Sequence, residues 1–178
     1  LSGKITNWKE LGGPDMAILP VLRNRNSGTE AYVREHVLRR KDLGEAIYGA
    51  FKNTEYVSTA TVKRDNREIL DFVANNAGAI AYMGVGVAKS EGKGKVRIVE
   101  YALTKEGPFM LPTVENIQKG QYRLARALSL VYVPDNARKD AFVAYALSEE
   151  GQKQILEYEY MQAAPNTVVV IEKRNAGK

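Results

Sequence analysis

The sequence predicts an α/β fold for this 178-residue chain, and three observations carry the prediction. Short apolar runs alternate along the chain with segments whose apolar residues recur at helical spacing. The first such junction is sharply marked. Ala17-Ile18-Leu19-Pro20-Val21-Leu22 reads as a buried strand, Arg23-Asn24-Arg25-Asn26 as a polar turn, and Ser27-Gly28-Thr29-Glu30 as a helix start. The composition, 44% hydrophobic and 26% charged, is that of a globular protein long enough to bury a core.

The elements follow in order. Ile5-Thr6-Asn7-Trp8-Lys9-Glu10-Leu11, closed by Gly12-Gly13-Pro14, reads as a single helical turn. The strand 17–22 comes next, then a helix from Ser27 to about Arg40, with Tyr32, Val33, His36 and Val37 on one face. His36, the only histidine, reads as a core-edge residue rather than a catalytic one. Residues 43–51 form a second helical patch. Asn66 is placed as the cap of a helix with an Ile69, Leu70, Phe72 and Val73 stripe, stopped by Asn75-Asn76-Ala77-Gly78. Ala79-Ile80-Ala81-Tyr82-Met83 reads as a short strand, and glycines at 84, 86, 92 and 94 flank a loop leading to a strand over 95–101. A short helix over 113–117 follows Pro112 and ends at Gly120. Residues 125–133 are strand-like, stopped by Pro134. Two helices are expected over 137–147 and 149–160, the second capped by Ser148 with two acids in its first turn. Residues 167–171 are β-branched and read as a last strand, and no internal repeat is found.

Several chemistries are ruled down. With no cysteine, zinc–cysteine sites, dithiol redox motifs and disulfides are excluded. No apolar run approaches the ~20 residues of a bilayer span, and no signal-peptide pattern is seen. The chain opens at Leu1-Ser2-Gly3 without an initiator Met, which reads as a processed or truncated product. A net charge of +5 favours anionic partners. The cations cluster only at Arg39-Arg40-Lys41 and at Arg23 and Arg25, without interleaved aromatics, so nucleic acid is not the expected partner. Gly84-Val85-Gly86-Val87-Ala88-Lys89-Ser90 fails as a phosphate loop because Ala88 stands where a glycine should precede Lys-Ser. Ser90-Glu91-Gly92-Lys93 matches Ser-x-x-Lys only in a loop. Ser27 and His36 lie nine residues apart, about 13.5 Å along a helix, too far to pair. No acidic cluster of calcium-loop type appears. The chain therefore reads as a binder, with no enzymatic site, metal or cofactor.

What remains is the junction at residues 23–30. Ser27 is a good N-cap and Glu30, three residues on, completes a capping-box pattern. Gly28 lets a ligand approach the backbone, and the first N–H groups of a helix lack intrahelical partners at the positive end of its dipole. Arg23 adds a planar guanidinium suited to two oxygens of one anion. Together these describe an oxyanion socket. The plain alternative is a solvated arginine beside an unoccupied helix start.

Several segments together resemble the phosphate-binding subunits of bacterial high-affinity phosphate ABC transporters. They are Leu1-Ser2-Gly3-Lys4-Ile5-Thr6-Asn7-Trp8; Arg23 with Ser27-Gly28-Thr29; and Asn76-Ala77-Gly78-Ala79-Ile80-Ala81-Tyr82. Pro112-Thr113-Val114-Glu115-Asn116-Ile117 with Gly120 and Tyr122, and Leu147-Ser148-Glu149-Glu150-Gly151-Gln152, complete the set in the family's order. The resemblance implies a type II periplasmic-binding-protein fold, with a mixed sheet flanked by helices and an anion held in a cleft between two lobes. It implies that Arg23, Ser27, Gly28 and Thr29 contact the anion, that ABC transporter membrane subunits are partners, and that the location is periplasmic or extracellular. By analogy residues 1–121 form the second lobe, and 122–178 the returning strand and helices of the first.

Two departures from the family stand out. Arg25 and Asn26 replace the usual acidic residue and glycine, making Arg25 and Asn26 secondary candidates and predicting weaker discrimination between phosphate and sulfate. A first-lobe segment before Leu1 is also missing. That predicts a partly hydrated anion, weak and salt-sensitive binding, and exposed apolar surface open to self-association or to a chain supplying that lobe. The rival readings are a binder of sulfate, molybdate or a phosphorylated small molecule, and a sensory or scaffold domain of the same fold without a ligand.

Overall fold

The computed structural model describes residues 1–127, 130, 137–157, 160 and 162. Its contacts divide the chain into two units, Leu1–Leu111 and Pro112–Lys178. In the first, β1 (Leu19–Arg23) is the middle strand of a three-stranded sheet, between β2 (Thr61–Lys63) and β3 (Ala79–Ala81). Both pairings are parallel: Val21 lies opposite Thr61 on one side and Ala81 on the other. A central parallel strand is apolar because helices cover its faces, and Val21 and Leu22 are buried accordingly.

Parallel neighbours need crossovers, and helices supply them. Between β1 and β2 come α1 (Gly28–Val33), a π-helical turn (Arg34–Leu38), a 3-10 turn (Lys41–Leu43) and α2 (Glu45–Phe51). Between β2 and β3 comes α3 (Asn66–Asn75), which packs on β1 and β3. Its Ile69 and Leu70 are buried, worth about 1.5–3 kcal/mol apiece. The α/β expectation holds. The described strands are all parallel, and antiparallel contact is limited to isolated bridges at Asn7–Ala17 and Tyr101–Met110.

The turn before β1 is a 3-10 helix over Trp8–Leu11, closed by Gly12 in the left-handed region at φ 81°. Asn7 Oδ1 accepts from the Lys9 N–H at 3.0 Å, and Glu10 Oε1 accepts from the Thr6 and Asn7 N–H groups, each at 2.9 Å. The Trp8 indole donates to the Gly78 carbonyl at 3.0 Å, tying this turn to the start of β3.

Several expectations are corrected. The helix from Ser27 does not run regularly to Arg40. At 34 it widens, with the Arg39 N–H reaching back five residues to the Arg34 carbonyl at 2.9 Å, and Arg40 turns left-handed at φ 58°. Asn66 is not the cap of α3. Asp65 is, accepting from the Glu68 N–H at 2.9 Å, and Asn66 begins the helix. The expected loop after Gly84 contains α4 (Val85–Ser90). Residues 95–101 form no strand: the Lys95 and Val96 N–H groups turn back to the Gly92 carbonyl at 2.9 and 3.1 Å, and only Tyr101 makes a bridge.

In the second unit α5 (Val114–Gln118) is capped by Thr113, whose Oγ1 accepts from the Asn116 N–H at 3.1 Å. α6 (Ala137–Leu147) and α7 (Glu149–Glu157) pack on each other, and Ser148 Oγ caps α7 through the Gly151 N–H at 3.2 Å. Of the strand expected over 125–133, residues 125–127 and 130 are described and lie in no strand, and the rest falls outside the described residues. The strand expected over 167–171 also falls outside them. Among the described residues, no helix is long and apolar enough to cross a membrane.

Candidate functional site

β1 ends at Arg23, and Asn24, Arg25 and Asn26 turn the chain into α1. The Asn24 N–H donates to the Lys63 carbonyl at 3.2 Å, carrying the β2 side of the ladder one step past the strand. The Asn24 carbonyl then accepts from the Ser27 N–H at 3.1 Å. Strand end and helix start are thus the two ends of one hydrogen-bonded turn.

Arg23 is held at its head and at its backbone. Its Nη1 donates to Asn66 Oδ1 at 2.5 Å, and its backbone N–H donates to the Tyr82 hydroxyl at 3.3 Å. Its Nε is buried without a hydrogen bond, and among the described residues no carboxylate forms an ion pair with it. The guanidinium is thus positioned by a neutral amide rather than by a carboxylate.

Ser27 has the extended backbone of an N-cap (φ −84°, ψ 123°), and its Oγ accepts from the Glu30 N–H at 3.4 Å. Gly28 is exposed and Thr29 half-buried in the first turn of α1. The return half of the capping box is absent. The Ser27 N–H is already taken by Asn24, and Glu30 instead turns inward, 2% exposed, with Oε1 3.5 Å from the Arg34 Nε. That contact is close enough for an ion pair but not aligned as a hydrogen bond. Glu30 Oε2, the Arg34 Nε and the Tyr56 hydroxyl are all buried without a hydrogen bond that meets the geometry.

The secondary candidates lie apart from this buried group. Arg25 has an exposed side chain that meets Glu55 at 3.4 Å, and Glu55 also takes Arg39 at 2.5 Å; Asn26 is exposed. His36 has a partner that spacing along one helix could not show. Its Nδ1 lies 2.8 Å from Asp42, in the 3-10 turn, and its ring stacks on Tyr32 at 4.1 Å.

Sequence reasoning missed Asn66, Tyr56 and Tyr82. Burial pushes the Tyr82 hydroxyl up, while the adjoining Tyr56 hydroxyl and the Arg23 backbone N–H pull the other way. Burial, the adjoining Tyr82 hydroxyl and the Glu30 charge together push Tyr56 far up. Both therefore stay neutral and act only as hydroxyls. A signal for Asn66 was present: with Asp65 and Asn66 adjacent, only one can cap, and the other is released for another contact.

Comparison with known proteins gives the context. A family model described as a PBP superfamily domain matches residues 1–150. The phosphate-binding protein PstS of Borreliella burgdorferi is 26% identical over 165 residues, covering 90% of this chain and 54% of that protein. PstS of Bacillus subtilis is 33% identical over 157 residues, covering 87% and 44%. The chain thus spans about half the length of these relatives. Among solved structures, a putative phosphate ABC transporter substrate-binding protein with bound phosphate from Clostridium perfringens superposes with a TM-score of 0.67 at 27% identity, over 92% of this chain and 59% of that one. An ABC-type phosphate transport receptor from Vibrio cholerae gives 0.60 at 27%, over 91% and 59%. These names describe binding and transport proteins, not enzymes.

Proposed function

Because the chain belongs to the PBP superfamily, we propose that it binds inorganic phosphate as part of an extracytoplasmic solute-binding protein serving an ABC importer. The names of its relatives support phosphate as the ligand and transporter membrane subunits as partners, in the periplasm or outside the cell. Arg23 and the Ser27, Gly28 and Thr29 turn are the proposed contacts, within a second lobe formed by residues 1–121. One observation carries this choice. Arg23 is half-buried and fixed at the end of β1 by Asn66, with no carboxylate pairing it among the described residues, at the turn leading to the Ser27 cap. A guanidinium positioned without an ion pair matches a tetrahedral anion, which can take two parallel N–H bonds from it.

Calorimetric titration of the chain and of Arg23→Ala with phosphate tests this reading. A charge-assisted hydrogen bond is worth roughly 1.5–3 kcal/mol, so the variant should bind at least tenfold more weakly. Equal affinities remove Arg23 from the site. Absence of any stabilisation by phosphate, sulfate or molybdate favours the ligand-free scaffold, because a ligand that binds only the folded state must raise its stability. Arg25 supplies the ground for weak phosphate-over-sulfate selectivity. It cannot accept the proton of hydrogen phosphate, and its side chain is exposed and engaged with Glu55. A phosphate preference of many thousandfold in competition would count against that.

A further inference from the structure

The β1–β3 ladder ends one rung before Arg23, and a side chain takes over the missing rung. On this side of β1 the odd residues face β3: the Leu19 N–H donates to the Gly78 carbonyl at 3.0 Å, and Val21 lies opposite Ala81, the last residue of β3. The next donor is the Arg23 N–H, and no strand remains beside it. Its acceptor is the Tyr82 hydroxyl at 3.3 Å, from the residue immediately after β3. The opposite side needs no such device, because the Asn24 N–H reaches the backbone carbonyl of Lys63.

From this we propose that Tyr82 is a positioning residue for the anion site, its hydroxyl fixing the backbone of Arg23 while Asn66 fixes the guanidinium. The proposal rests on the phosphate reading for its functional part and on the fold alone for the contact. It gives a task to the tyrosine of the Ala79-Ile80-Ala81-Tyr82 segment, whose hydroxyl meets this backbone. The surroundings suit the role. Tyr82 is half-buried and adjoins Tyr56, and the charges of Glu30 and Arg23 act on its hydroxyl.

Tyr82→Phe removes only the hydroxyl, and three measurements separate its effects. Amide hydrogen exchange should accelerate at least tenfold at Arg23, and stay unchanged at Leu19, whose acceptor is a backbone carbonyl. Phosphate affinity should fall threefold to tenfold, while Tyr56→Phe, which leaves the rung intact, keeps near-normal exchange at Arg23. In the unmodified chain the Arg23 amide should itself be protected comparably to Leu19. If it exchanges like an open loop, the proposal fails without any variant, and it fails equally if Tyr82→Phe leaves Arg23 exchange unchanged. Faster exchange with unaltered phosphate affinity overturns the positioning role. If the unmodified chain binds no phosphate, the phosphate reading is what has failed, and the exchange data still decide whether the rung exists.

Discussion

A cap residue followed three positions later by glutamate recurs along the chain, and the copies at Asn7 and Ser27 fold differently. At Asn7 to Glu10 the acid turns back and accepts the cap's own N–H, so the turn closes on itself. At Ser27 to Glu30 the cap's N–H is already bonded to the Asn24 carbonyl, and the acid is free to go elsewhere. It goes into the interior, against Arg34. A capping box is thus a competition for one backbone donor, decided by whether the preceding turn has used it. The first copy is a closed structural joint, tied to β3 through the Trp8 indole. The second stands next to a half-buried arginine and a cluster of buried polar atoms, and is the copy we assign to an anion.

The largest test of this difference removes each glutamate. Glu30→Leu leaves Arg34 partly buried without its counter-charge, and breaking such a pair costs about 3 kcal/mol or more. Adding Arg34→Met should recover most of the loss, because an apolar pair of similar volume is tolerated where a lone charge is not. Glu10→Ala, at an exposed turn, should cost clearly less. Urea unfolding of the four proteins measures all of this. Equal losses for the two acids would erase the contrast.

Next in size is Gly78→Ala, which sharpens the structural half. A Cβ at Gly78 would run into the Ala17 carbonyl oxygen and press on Met16, where the Trp8 turn meets β3. Overpacking of this kind costs about 1–3 kcal/mol. The unfolding midpoint should fall while phosphate affinity holds. A change in affinity larger than twofold would mean that the Trp8 joint also shapes the site.

The two caps can be compared directly. Asn7→Ala and Ser27→Ala each lose a cap worth about 1 kcal/mol. Only Ser27→Ala should also weaken phosphate binding, because only that hydroxyl is a proposed ligand. Matched thermal melts and titrations give the answer. Identical binding in both variants would reduce Ser27 to a cap.

How much of this was legible in sequence depends on the range of the interaction. The Trp8 turn, β1, the Ser27 cap, α5 and the Ser148 cap of α7 were readable, because each is set by residues within about four positions. Arg23 and Ser27 could be named for the same reason. The inward turn of Glu30 was hidden, since it depends on an Asn24–Ser27 hydrogen bond that spacing does not encode. Asn66 and Tyr82 meet Arg23 across 43 and 59 residues, which no periodicity can link. β2 was missed because three residues carry too little pattern to separate a strand from a loop. The expected strand over 95–101 failed the opposite way: its β-branched composition is real, but its first N–H groups are used locally by Gly92.

The smallest effect is a pH dependence at the Asn7 copy. The backbone N–H groups of Thr6 and Asn7 hold the Glu10 carboxyl below its usual value. A carboxyl whose pKa is lower folded than unfolded binds fewer protons in the folded state, so it adds stability above the unfolded value. That stability drains away as the pH falls through the folded value. Glu35 and Glu68 are also held low. At Glu35 burial pushes upward but is outweighed by the Tyr48 hydroxyl and Arg39, and at Glu68 the Arg64 side chain and backbone do the work. Both remain in Glu10→Ala and cancel when that variant is compared with the parent. The gap between their unfolding midpoints should therefore be widest near pH 7 and narrow steadily below the usual carboxylate pKa of about 4.3. A gap that stays constant down to pH 2 would mean that Glu10 stabilises its turn by packing, and the joint would no longer be closed by charge.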